Sequence, residues 1–154
     1  MYSNELVIKI LEYINNNINK KITMDELSKT FYFNKDYLMR LFKKELNTTI
    51  MEYINKQRIY NSLETIKSEN NSIIKIALNN GFYSQEYFTE TFTKIIGVSP
   101  LIYRKFTKAN NQITEKEYDD IRKNLTSLNT LLKNIELYKK NTPTTEVKKL
   151  TLFK

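Results

Sequence analysis

Apolar residues recur along this chain at intervals of three and four, and almost no segment alternates with period two. That pattern predicts an all-α protein. Helix-capping residues stand where each apolar-periodic run begins. Thr23-Met24-Asp25-Glu26 reads as a capping box, in which the Thr hydroxyl accepts from the third helical residue and Glu26 reaches back. Thr49 with Glu52, and Thr114 with Glu117, repeat the device. Asn34, Ser72 and Ser84 are N-cap types. Ser99-Pro100 places a cap before a proline at the first helical position, where a missing N–H costs nothing. These signals predict seven helices near 4–18, 24–32, 35–46, 50–68, 73–80, 85–96 and 100–106. A polar linker over 108–113 follows, then an amphipathic helix near 115–139 and a tail within 114–154. Leu150-Thr151-Leu152 reads as a short strand or a frayed end.

The chain has two glycines and two prolines, and Gly81, Gly97 and Pro100 all fall between residues 80 and 105. An internal repeat explains the clustering. Shifted by 50, Tyr37, Phe42, Leu46, Thr49 and Tyr53 fall on Tyr87, Phe92, Ile96, Ser99 and Tyr103. Upstream the shift is 49, with Thr23, Leu27 and Ser28 on Ser72, Ile76 and Ala77. Each copy is a short capped helix, a turn and a longer capped helix, which is the helix-turn-helix plan. A period of this size also suits a helical solenoid, but solenoids need three or more units. Gly81 and Gly97 then end their helices in the left-handed conformation that glycine adopts without strain.

Composition narrows the function. The absence of Cys excludes disulfides and thiolate ligands, and fits a cytoplasmic protein. The absence of His removes the commonest general base and the commonest nitrogen ligand of metals. No glycine-rich phosphate loop is present. No convergent acidic cluster is legible either, so neither an enzyme nor a cofactor is expected. No apolar run approaches a membrane span, and the start lacks the marks of a secretory signal. Lys and Arg exceed Asp and Glu by 25 − 17 = 8, which suits a polyanionic partner such as nucleic acid. Residues 1–107 hold 15 basic and 11 acidic side chains, and residues 108–154 hold 10 and 6. A basic face must therefore come from geometry and not from a tail.

The second copy resembles the signature of the AraC/XylS-type transcription regulators. It stands here as Ile76-Ala77, Gly81-Phe82, Ser84, Tyr87-Phe88, Phe92, Gly97, Ser99-Pro100 and Tyr103-Arg104. The first copy is similar in Leu27, Tyr37-Leu38, Arg40 and Phe42-Lys43, followed by Tyr53-Ile54 and Arg58. The resemblance covers about residues 5–107 and implies a seven-helix double helix-turn-helix DNA-binding domain over 1–107. Its subunits would be about 5–49 and 69–107, joined by a long linking helix at about 50–68. Such a helix, on the order of 27 Å long at 1.5 Å per residue, is expected to set two recognition helices into successive major grooves, about 34 Å apart. The implied function is a sequence-specific duplex-DNA-binding transcription regulator, with activation as the expected mode.

On helix 35–46, Leu38, Leu41, Phe42 and Leu46 fit a core stripe and leave Lys35, Asp36, Met39, Arg40, Lys43 and Lys44 outside. By the resemblance, Asp36, Met39 and Arg40 meet base edges. Arg40 can donate twice to guanine, and Met39 can touch a thymine methyl. The bland alternative for Arg40 is an ion pair with Asp36 or Glu45 on a solvated face. Lys43 and Lys44 suit phosphates. On helix 85–96 the corresponding candidates are Ser84, Gln85, Glu86, Thr89, Glu90 and Lys94, with Thr93 also outward. Gln85 can pair with adenine, and Thr89 with a base or phosphate. Glu86, Glu90 and Lys94 give this helix a net charge of −1, against +2 over residues 34–46. Carboxylates are repelled by phosphates, so this copy is expected to bind DNA more weakly or to meet a protein. The tyrosines 37, 53, 87 and 103 suit either phosphate contact or packing at the core edge. Arg58 and Arg104 suit ties between helices, or a phosphate.

In the last helix Tyr118, Ile121, Leu125, Leu128, Leu132 and Ile135 form a heptad seam. It fits packing against the first seven helices, a homodimer through helix 115–139, or the start of a further domain. No segment is long enough for an effector domain, so abundance or a partner at this helix is expected to set activity. The competing functional reading is a protein-interaction module on the same scaffold. RNA polymerase or another regulator would be its partner, and its DNA binding would be weak.

Overall fold

The structure, a computed structural model, describes residues 3–110 and 112–141. All the regular structure among them is helical: α1 (Ser3–Asn16), α2 (Met24–Phe31), α3 (Lys35–Leu46), α4 (Ile50–Ile66), α5 (Ile73–Asn79), α6 (Gln85–Ile96), α7 (Pro100–Phe106) and α8 (Glu115–Asn141). The strand or frayed end expected at 150–152 lies outside the described residues.

The caps fall where the sequence places them. Thr23, Ser72, Ser84 and Ser99 each accept from a backbone N–H three residues on, and Asn34 accepts from Asp36 N at 2.7 Å. Of the three capping boxes, the one at Thr114 closes in both directions, with bonds of 3.1 and 2.8 Å to Glu117. The other two close in one direction. Glu26 instead accepts from the Tyr13 hydroxyl at 2.7 Å, and Glu52 from the Thr48 hydroxyl at 3.4 Å. The competing hydroxyl comes from α1 for Glu26 and from the residue beside the cap for Glu52. α1 stops two residues short of its expected end, where the Asn17 side chain and backbone N–H both donate to the Tyr13 carbonyl, at 2.8 and 3.1 Å. α4 also stops two residues early, and side chains capture its last carbonyls.

The chain divides into two compact units. Within the described residues these are 3–54 with 131–141, and 55–130. The first unit has one continuous core. Leu6, Val7, Ile10, Leu11 and Ile14 of α1 pack with Leu27, Leu38, Leu41, Phe42, Leu46, Ile50, Tyr53 and Ile54. Ile135 of α8 joins this core, with Leu131, Leu132 and Tyr138 packed against it. The Tyr138 hydroxyl donates to Glu45 at 3.3 Å.

The second unit is threaded by aromatic rings. Phe82, Phe88, Phe92, Tyr103, Phe106 and Tyr118 follow one another at centroid distances of 5.2 to 5.8 Å. Each such pair adds roughly 1 kcal/mol to the burial it accompanies. Ile121 and Leu128 of α8 are buried here. The heptad seam of α8 is thus occupied by packing inside the chain, with Ile121, Leu128 and Ile135 buried and Leu125 and Leu132 half-buried.

Candidate nucleic-acid interface

In the first unit α2 and α3 meet through a tight turn. Tyr32 ends α2 in the left-handed region (φ 60°), and its N–H donates to the Ser28 carbonyl at 2.9 Å. Ser28 ties the turn again, donating to the Phe33 carbonyl at 2.6 Å. The Phe33 ring stacks on Tyr37 at 5.2 Å, across the Asn34 cap. α3 sinks Leu38, Leu41, Phe42 and Leu46 into the core. With that stripe anchored, Lys35, Asp36, Met39, Arg40, Lys43 and Lys44 are all exposed.

Their electrostatics differ. Lys35 is paired with Asp25 of α2, and that lysine holds the Asp25 carboxyl below the usual carboxylate range. Arg40 makes no ion pair among the described residues; its Nε donates to the Asp36 carbonyl at 3.3 Å, leaving the rest of the guanidinium outward. Lys43 and Lys44 stand in the last turn, where the helix dipole favours cations. Two lysines and one arginine therefore share a face with Met39, whose exposure is 41%.

The second unit repeats the construction with changed chemistry. After α5, Gly81 (φ 87°) and Phe82 return their N–H groups to the Leu78 and Ala77 carbonyls, a Schellman closure. Tyr83 stacks on Tyr87 at 5.1 Å, matching Phe33 and Tyr37 in the first unit. The Ser84 hydroxyl is occupied as the cap, accepting from Tyr87 N at 3.1 Å. Phe88, Thr91, Phe92 and Ile96 face inward. Gln85, Glu86, Glu90, Thr93 and Lys94 are exposed and Thr89 is half-buried. Thr93 returns its hydroxyl to the Thr89 carbonyl at 2.7 Å. Glu86 lies in the first turn of α6, where the helix dipole stabilises it.

The four repeat-related tyrosines divide. Tyr53 and Tyr103 are buried, and burial pushes both phenols up. Tyr53 donates to Asn15 at 3.1 Å. Tyr37 is exposed and Tyr87 half-buried, each in the first turn of its helix, and Tyr87 accepts from Asn55 at 3.2 Å. Arg104 ties α7 to the end of α4, donating to the Ile66 and Asn71 carbonyls at 2.7 Å each. Arg58 is buried with its guanidinium 6.0 Å from the Phe82 ring centroid, and desolvation lowers its pKa. The sequence reading missed the exposed rings Tyr32 (91%) and Tyr83 (79%). The stacked pairs were findable, because a shift of 50 aligns aromatic residues at 33 and 83 as well as at 37 and 87.

Among the described residues, no cluster of acidic side chains could hold a metal ion. No described helix is long and apolar enough to cross a membrane. A family model described as a helix-turn-helix domain matches residues 27–105. The uncharacterized HTH-type transcriptional regulator YbfP of Bacillus subtilis is 31% identical over 118 residues, which cover 77% of this chain and 40% of that protein. The HTH-type transcriptional activator AarP of Providencia stuartii is 29% identical over 67% of this chain and 76% of its own. Among solved structures, the C-terminal domain of AraT, a response regulator from Geobacillus stearothermophilus, superposes with a TM-score of 0.64 at 26% identity. That superposition covers 71% of this chain and 92% of the domain.

Proposed function

The chain belongs to the AraC/XylS-type helix-turn-helix family, and we propose that it is a sequence-specific duplex-DNA-binding transcription regulator in which α3 and α6 each read one half-site in the major groove. One observation carries the reading. In both copies an apolar stripe is sunk in its own unit while the opposite face of the same capped helix is solvent-exposed. On α3 that face carries Arg40 for guanine, with Lys43 and Lys44 for phosphates. Lys35 joins them only by leaving Asp25. Asp36 and Met39 border the base-reading positions. On α6, Gln85 is suited to adenine, Thr89 to a base or phosphate, and Lys94 to a phosphate. Action in the cytoplasm as an activator fits this reading.

Selection from random duplex DNA tests it, repeated with Arg40→Ala and Glu90→Arg. Loss of a base preference with Arg40→Ala, together with a steep fall of affinity with salt, supports direct reading. Retention of the whole motif without Arg40 refutes it.

A second reading is favoured by Glu86 and Glu90, both exposed on α6. They suit a basic protein surface, such as one on RNA polymerase, better than a phosphate backbone. If Glu90→Arg leaves DNA affinity unchanged and abolishes transcription activation, α6 serves the protein partner. The burial of the α8 seam supports one chain per duplex over a dimer through helix 115–139. A monomeric mass in solution is the expected result.

A further inference from the structure

Gly97 meets two constraints, and the internal repeat separates them. It closes α6 in the left-handed region (φ 96°), its N–H donating to the Thr93 carbonyl at 2.8 Å. The matching residue of the first copy is Asn47. It stands in the same region (φ 58°) and closes α3 with the same bond, to the Lys43 carbonyl at 2.8 Å. An asparagine satisfies the left-handed requirement there, so backbone geometry alone does not demand glycine in the second copy.

The other constraint is α8. A Cβ on residue 97 would lie 2.6 Å from Asn124 Nδ2 and 3.4 Å from Asp120 Cβ. Asn124 uses that space to donate to the Ile96 carbonyl at 2.9 Å. This carbonyl is one of the last four of α6, which have no partner within the helix. The same stretch of α8 is held by the Tyr118 ring against Phe106 at 5.6 Å and by the burial of Ile121 and Leu128. All of it lies beyond residue 105, where the family match ends.

We propose that Asn124 is a positioning residue for DNA reading: α8 braces the C-terminal end of α6 through it, so the DNA-reading unit of this chain extends to about residue 130. The inference rests on the reading of α6 as a recognition helix. That helix is where a brace matters most. Its net charge of −1 gives it little electrostatic hold on DNA, so its contacts depend on how well its outer face is held in place.

The test uses the full chain with Asn124→Ala and Asn124→Asp. The aspartate is isosteric but lacks the donor and sets a negative charge against the negative helix end. Both are studied at a temperature where circular dichroism shows no loss of helix. Hydrogen exchange is read first, because it does not depend on DNA. Faster exchange through the last turn of α6, with α3 unchanged, is expected in both variants, and unchanged exchange in α6 overturns the brace. Next, the duplex selected by the wild-type chain from a random pool is titrated. Asn124→Ala should weaken binding up to about fivefold, the equivalent of the roughly 1 kcal/mol of one hydrogen bond. Asn124→Asp should weaken it further. Base preference should flatten in the α6 half-site and persist in the Arg40 half-site. Equal preferences in both half-sites, with only a lower unfolding temperature, overturn the positioning role. If the wild-type chain selects no motif, both the reading of α6 and the role of Asn124 in it fail, while the exchange result still decides the brace.

Discussion

Replacing Gly97 with alanine separates backbone strain from helix approach. The left-handed conformation costs a non-glycine residue roughly 1–2 kcal/mol. In addition the new Cβ would lie 2.6 Å from Asn124 Nδ2 and displace that amide from the Ile96 carbonyl, which it now meets at 2.9 Å. Losing that bond adds about 1 kcal/mol, since the carbonyl is left without its donor. Gly97→Ala should therefore cost about 2–3 kcal/mol. Asn47→Ala, in the same backbone region and without the α8 contact, should cost about 1 kcal/mol. The discriminating measurement is a double-mutant cycle by urea unfolding, followed by helical circular dichroism. In an Asn124→Ala background the Cβ has no amide to displace. Gly97→Ala should then cost only its strain, with a coupling of about 1 kcal/mol between the two sites. Additive costs, or equal costs for Gly97→Ala and Asn47→Ala, would refute the close approach of α8.

Arg104→Ala removes two bonds to the Ile66 and Asn71 carbonyls, and should destabilise the chain by about 2–3 kcal/mol in the same assay. Arg104→Lys should recover less than half of that, because an ammonium lacks the planar fork that reaches both carbonyls. Alkaline pH should weaken the fold through its buried phenols. Burial raises Tyr53 and Tyr103, and burial with the Glu45 carboxylate raises Tyr138. Each folded-state value exceeds the unfolded one near 10. Their stabilisation is complete below about pH 10 and is lost as pH rises through the folded-state values. Tyr53→Phe and Tyr103→Phe should each flatten that decline in unfolding measured against pH. For DNA binding, Lys43→Ala with Lys44→Ala should lower the slope of log affinity against log salt by about 2, leaving base preference intact. An unchanged slope would remove both lysines from the phosphate contacts.

The apolar periodicity and the caps placed the eight helices of the described residues, because both act within a single turn. An apolar residue every third or fourth position makes a stripe wherever the helix packs, and a Ser, Thr or Asn oxygen reaches an N–H two or three residues on. The exposed faces of α3 and α6 were legible for the same reason. Once Leu38, Leu41 and Phe42, or Phe88 and Phe92, are assigned inward, helical geometry turns Arg40 and Gln85 outward.

Tertiary structure decided the matters that depend on which long-range partner wins. Glu26 had a local return bond available and took the Tyr13 hydroxyl of α1 instead. Helical geometry put Lys35 outward, and only the folded chain set it against Asp25 of the preceding helix. The heptad seam of α8 fitted packing within this chain, a second copy or the start of a further domain. Periodicity records that a face is apolar, and only the folded chain determines what covers it. Gly97 shows the limit most clearly: its left-handed backbone followed from a local helix-end signal, while the need to leave room for Asn124 arises from a helix that begins 18 residues later, at Glu115.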